Sequence, residues 1–231
     1  MHLSHNKIGT LVATPLALLC FTGAANAQSS VYMDKSMFLL NLASGSYTEN
    51  FNSLSGGPLA PITFTDGKLG GFKFVASATH GLIPITGGSG GAALSTFDAT
   101  DALSIVFSGA PVTAIGGNFF NTDVNGNFVS SNVTVNINNG SSVQINLTPT
   151  SINDFSGFTT SAGSITSLSI KSTSFIPTAP STQTYPSLDN FIVGSFSGAP
   201  QGGTVPEPGS LAQLAGFGIV GAGFVLKRRK K

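Results

Sequence analysis

The chain of 231 residues carries few charges, 8% of the total, and they nearly cancel to a formal +1. That balance excludes a basic nucleic-acid footprint, and a single cysteine, Cys20, excludes both a disulfide framework and a thiolate metal site. Polarity comes instead from Ser, Thr, Asn and Gly, the material of β-rich surface proteins with many turns.

Residues 1–27 have the parts of an export signal. Lys7 and the amino terminus supply positive charge, residues 8–21 form an apolar stretch, and Ala25-Asn26-Ala27 offers a small-x-small cleavage pattern. Export by the Sec machinery and cleavage by signal peptidase after Ala27 would leave Gln28 first and discard Cys20. Lipidation at Cys20 would need a small residue before it, and Leu19 stands there. Residues 28–204 are long enough for one domain held by its own core. They contain eight acidic side chains and four lysines, so this passenger is net acidic and the overall positive sign comes from the two termini.

Along the passenger, residues 33–42 predict a short helix with Met33, Met37 and Leu40 on one side. Strands are predicted over 49–54, 62–65, 71–76, 112–121, 128–130 and 188–194. Period-2 alternation is clearest at Leu103, Ile105 and Phe107, at Val133, Val135 and Ile137, at Val143, Ile145 and Leu147, and at Leu168 and Ile170. Such alternation means half-buried antiparallel strands. Within 133–147 a two-residue loop at Asn139-Gly140 would put Val135 opposite Gln144 and mix the faces. A three-residue loop, Asn138-Asn139-Gly140, sets Val135 opposite Val143 and Val133 opposite Ile145, with Gly140 at a left-handed bulge position. The expected fold over 28–194 is all-β, an antiparallel two-sheet β-sandwich of jelly-roll type. Residues 195–204, rich in Gly, Ser and Pro, read as a flexible spacer.

Several short patterns invite chemistry and do not complete it. Gly87-Gly88-Ser89-Gly90-Gly91 matches the G-x-S-x-G elbow, but Pro84 and further glycine flank it, and His80 precedes the serine. His80, alone in the mature chain, lacks partners for zinc or for general-base work. Asp98 and Asp101 could act as paired carboxylates, yet no aromatic residues cluster around them apart from Phe97, and they read as a turn before the strand at Leu103. Asp123-Val124-Asn125-Gly126-Asn127 has oxygens at alternate positions but lacks the sixth-position glycine and the later bidentate glutamate of a calcium loop, so a β-turn is expected. Without tryptophan, only Tyr32, Tyr47 and Tyr185 offer amphipathic rings for a sugar. The expectation is a non-enzymatic protein.

The tail is the most specific segment. It reads Val205-Pro206-Glu207-Pro208-Gly209-Ser210, an uncharged apolar stretch over 211–226, then Lys227-Arg228-Arg229-Lys230-Lys231. The apolar stretch would span about 24 Å as a helix, short of a bilayer core of about 30 Å but extended at its ends by small residues and snorkelling lysines. A single transmembrane helix over 210–226, stopped by the cations at 227–231 on the cytoplasmic side, leaves the passenger outside. The alternative is an ordinary membrane anchor, with Gly218 and Ala222 as a small-xxx-small contact. The full order of parts resembles the PEP-CTERM sorting signal, the substrate of exosortase-type transpeptidases in Gram-negative bacteria. That resemblance implies an inner-membrane precursor, cutting near Pro206, Glu207 and Pro208, and delivery to the outer surface or into exopolysaccharide.

More loosely, the passenger resembles jelly-roll carbohydrate-binding modules at Glu49-Asn50-Phe51, at 103–107 followed by Pro111-Val112, and at Leu188-Asp189-Asn190-Phe191. The resemblance implies a structural calcium held by Glu49 and Asp189, the alternative being two turn or edge residues in solvent. Apart from that ion, no cofactor is expected.

Overall fold

β-Branched and aromatic residues alternate with Ser, Thr and Asn through most of the passenger, and the backbone follows that period into strands. The structure, a computed structural model, describes residues 29–86, 91–161, 163–173 and 183–198. The export signal with Ala27 and Gln28, the sorting tripeptide at 206–208, the span at 210–226 and the basic residues at 227–231 lie outside the described residues. One sheet runs in the order β1 (Ser29–Tyr32), β12 (Phe155–Thr160), β8 (Ala114–Thr122), β14 (Tyr185–Gly194), β6 (Ala92–Thr96) and β5 (Leu82–Thr86). Two short strands join it, β2 (Tyr47–Glu49) on β14 and β9 (Phe128–Val129) on β8. The other sheet runs β11 (Ser142–Leu147), β10 (Val133–Asn138), β13 (Ser167–Ser172), β7 (Leu103–Gly109), β4 (Phe72–Ser77) and β3 (Ile62–Thr65). The strand pairs are antiparallel, and the architecture is the all-β, two-sheet one expected of a sandwich.

Side chains from both sheets meet in one core. Phe64, Phe74, Leu103, Ile105, Val133, Val135 and Ile170 come from one sheet, and Leu94, Ile115, Phe119, Phe158, Leu188 and Phe191 from the other. Aromatic rings tie the layers directly. Phe74 meets Phe191 of the other sheet edge-on at 5.2 Å between centroids, and within its own sheet Phe74 stacks on Phe64 at 4.9 Å.

A second, smaller cluster forms where the helix α1 (Lys35–Leu40) covers β8 and β12. Its location is the one expected, but its buried face is not. Met33, Met37 and Leu40 are largely exposed, whereas Phe38 is fully buried. With only six residues the helix can press one large side chain onto the sheet, and Phe38 enters a notch left by Gly116 and Gly157. Asp34 caps the helix by accepting a hydrogen bond from the Met37 backbone N–H at 2.8 Å.

Two other expectations are corrected. The strand expected over 49–54 stops at Glu49, because Phe51 takes a positive φ of 56° and turns the chain to bury its ring. The β10–β11 hairpin pairs Val135 with Ile145 and Ile137 with Val143, so its three-residue loop is Asn139-Gly140-Ser141, two positions on in register. A shift of two keeps every side chain on its face, which is why alternation could not distinguish the registers. Gly140 does sit in the left-handed region, at φ +94°. The strands β1, β5, β6 and β12 were not expected at all.

The chain passes from β4 to β5 and from β6 to β7 by crossing between the sheets. Since β4 pairs with β7 and β5 with β6, the two arches lie side by side. The Phe97 N–H donates to the Gly81 carbonyl at 3.0 Å and stitches one arch to the other.

Candidate functional site

The paired arches bring together three side chains that are well separated in sequence. His80 sits in the tight turn of the first arch, closed by the Gly81 N–H donating to the Ala78 carbonyl. Asp98 and Asp101 sit in the second, where the Asp101 N–H donates to the Asp98 carbonyl. Asp101 is buried and grips the first arch with both oxygens. Oδ2 accepts the His80 backbone N–H at 2.7 Å, and Oδ1 lies 3.0 Å from His80 Nδ1. The imidazole itself is 58% exposed at its side chain, so the pair opens to solvent on one side.

Asp98 completes the group. Its Oδ1 accepts both the backbone N–H and the hydroxyl of Thr100, at 2.8 and 2.6 Å. Those bonds hold its carboxyl below the ordinary range, and the nearby imidazole adds to the effect. One ligand atom from each of His80, Asp98 and Asp101 can be chosen so that all lie within 4.8 Å of one another. Among the described residues this is the one group of three or more such side chains that could hold a metal ion. In the sequence the three residues belong to two separate turns. Their 21-residue separation gives no local signal, and only the pairing of β4 with β7 and β5 with β6 joins them.

The pair Glu49 and Asp189 lies on adjacent strands, with Glu49 opposite Phe191. Each carboxylate is engaged locally. Glu49 accepts the Tyr47 hydroxyl and, at 2.8 Å, the Phe51 N–H. Burial and the bond to Glu49 push the Tyr47 hydroxyl well above its usual range. Asp189 is buried, accepts the Asn190 N–H at 2.6 Å, and is held above the usual carboxylate range by burial, against the pull of that bond and of Lys35. Neither belongs to a group of three metal-ligating side chains among the described residues.

Asp123 organises the turn expected of it, accepting from the Asn125 and Asn127 N–H groups and from the Asn127 amide. The glycine-serine stretch connects β5 to β6, two antiparallel strands, with Thr86 paired to Ala92. A nucleophile elbow requires a strand entering a helix, whereas the next described element is the strand β6; Ser89 itself lies outside the described residues. Near Asp98, a hollow of about 100 Å³ is lined by Ile83, Ile85, Phe97, Val124 and Tyr185. Among the described residues no helix is long and apolar enough to cross a membrane.

Comparison with known proteins locates the functional information in the tail. The PEP-CTERM protein-sorting motif matches residues 204–230, which contain the Pro206-Glu207-Pro208 tripeptide. No curated protein and no solved structure matched the chain. The motif marks an exported protein whose membrane-held precursor is processed at the surface by exosortase-type machinery.

Proposed function

We propose that the chain is a non-enzymatic envelope or matrix protein, exported by a signal peptide cleaved after Ala27 and sorted through its tail to the surface or exopolysaccharide of a Gram-negative cell. The sorting motif over 204–230 carries this reading. A helix over 210–226 holds the precursor in the inner membrane, the cations at 227–231 stop its transfer, and the sorting enzyme cuts near Pro206, Glu207 and Pro208. The passenger, read as jelly-roll-like, is the delivered cargo.

A glycan-binding role is favoured by one observation. Phe97, 48% exposed, lies beside Tyr185 at a hollow next to Asp98, which places rings and a carboxylate where a sugar could stack and hydrogen-bond. Fractionating cells with and without the sorting enzyme, and with and without exopolysaccharide synthesis, tests the first reading. Expected are passenger in the matrix of wild-type cells, membrane retention without the enzyme, and release into medium without the polysaccharide. An unchanged distribution in all strains would refute it. Binding to a glycan array by wild type but not by Phe97→Ala would favour the second.

A further inference from the structure

We propose that His80, Asp98 and Asp101 bind one divalent transition-metal ion of the zinc class across the two inter-sheet arches. Three donors converge there, from turns that the sheet pairing fixes next to each other. Two ligands about 2.0–2.1 Å from a tetrahedral zinc stand about 3.3 Å apart. His80 Nδ1 and Asp101 Oδ1 stand 3.0 Å apart, so one edge of such a site already exists. The third donor is a carboxylate oxygen of Asp98, whose Oδ2 accepts no hydrogen bond among the described residues, since Thr100 uses only Oδ1.

Charge points the same way. Asp101 has a side chain only 4% exposed, and no lysine or arginine among the described residues pairs with it or with Asp98. A buried carboxylate with a second carboxylate and an imidazole close by asks for a cation, because charge taken out of water is costly unless matched. Two carboxylates and a neutral imidazole carry two negative charges, which a divalent ion cancels. The imidazole disfavours calcium and magnesium, which prefer an all-oxygen shell, and the absence of sulfur disfavours copper(I). The exposed side of His80 leaves room for water as the remaining ligand. This inference is independent of how the tail is sorted.

The test uses the full chain in mild detergent, without a polyhistidine tag and with His2→Ala and His5→Ala, so that His80 is the sole imidazole. Titration calorimetry with ZnCl₂ should show one zinc per chain, and zinc but not CaCl₂ should raise the melting temperature. Asp98→Asn keeps an acceptor for Thr100 and should still fold, with unchanged circular dichroism, while binding zinc at least about 10-fold more weakly. His80→Ala should abolish binding. Absence of stoichiometric zinc binding, equal binding in both variants, or an equal response to calcium would overturn the proposal.

Discussion

Replacing Gly157 by alanine tests whether Phe38 anchors the helix to the sheet as described. A Cβ at Gly157 would stand 2.5, 2.8 and 3.0 Å from three carbons of the Phe38 ring, where carbon atoms prefer about 3.5–4.0 Å. Relief requires the ring to retreat by roughly 1 Å. Phe155 and Tyr32 confine it at centroid distances of 5.4 and 5.8 Å. Overpacking of this kind costs about 1–3 kcal/mol, or about 2–12 °C in melting temperature for a domain of this size. Phe38→Ala alone should cost about 3–5 kcal/mol through lost burial and a cavity. In the double variant the new methyl enters the emptied notch, so its cost should fall short of the sum of the two single costs by about 1–3 kcal/mol. Urea unfolding followed by far-UV circular dichroism measures all four corners; with no tryptophan, intrinsic fluorescence is a weaker probe. A neutral Gly157→Ala, or strict additivity with Phe38→Ala, would refute the packing described.

Asp189→Asn should stabilise the protein at neutral pH, because Asn keeps the acceptor for Asn190 while removing a buried charge. For a carboxyl raised by burial, stability is fullest below the unfolded pKa of about 3.9 and is lost as pH rises through the folded value. The gain in melting temperature should therefore vanish near pH 4; if calcium instead raises the melting temperature of wild type and not of Asp189→Asn, Asp189 is a calcium ligand. Asp154 behaves oppositely. Its Oδ2 accepts from the Thr150 N–H, the Thr150 hydroxyl and the Ser151 N–H, and these bonds depress its pKa. Asp154→Ala should lower stability by about 1 kcal/mol at neutral pH, an amount reduced by solvent screening. The loss should fade as pH falls from about 3.9 through the folded value. Gly140→Ala should cost about 1 kcal/mol in thermal unfolding through its positive φ alone, since nothing lies within 4 Å of an added Cβ, and Gly140→Asn should cost less.

Legibility in the sequence followed exposure. Strands β7, β10, β11 and β13 have one wet and one dry face over much of their length, and their alternation was plain. Strands β6 and β12 are buried on both faces with sequences Ala-Ala-Leu-Ser-Thr and Phe-Ser-Gly-Phe-Thr-Thr, so neither shows a period. Their small residues are what allow the sheet to be covered, as at Gly157 under Phe38. β1 and β5 are short, and β5 carries Pro84, which is tolerated because β5 is an edge of its sheet. The helix was found but rotated, because six residues are too few for a moment to mark a face. The His80, Asp98 and Asp101 group was invisible for another reason. It depends on which strands pair, and nothing local to either turn records that. The sorting tail could be read because its order of parts is itself the signal, independent of any fold.

Mass spectrometry of the mature protein's carboxyl end, from cells with and without the exosortase, tests the central claim most directly. A new terminus near Pro206, Glu207 and Pro208 in the first strain, with Lys231 retained only in the second, is the expected result. Mature surface protein ending at Lys231 in cells that make the enzyme would contradict it.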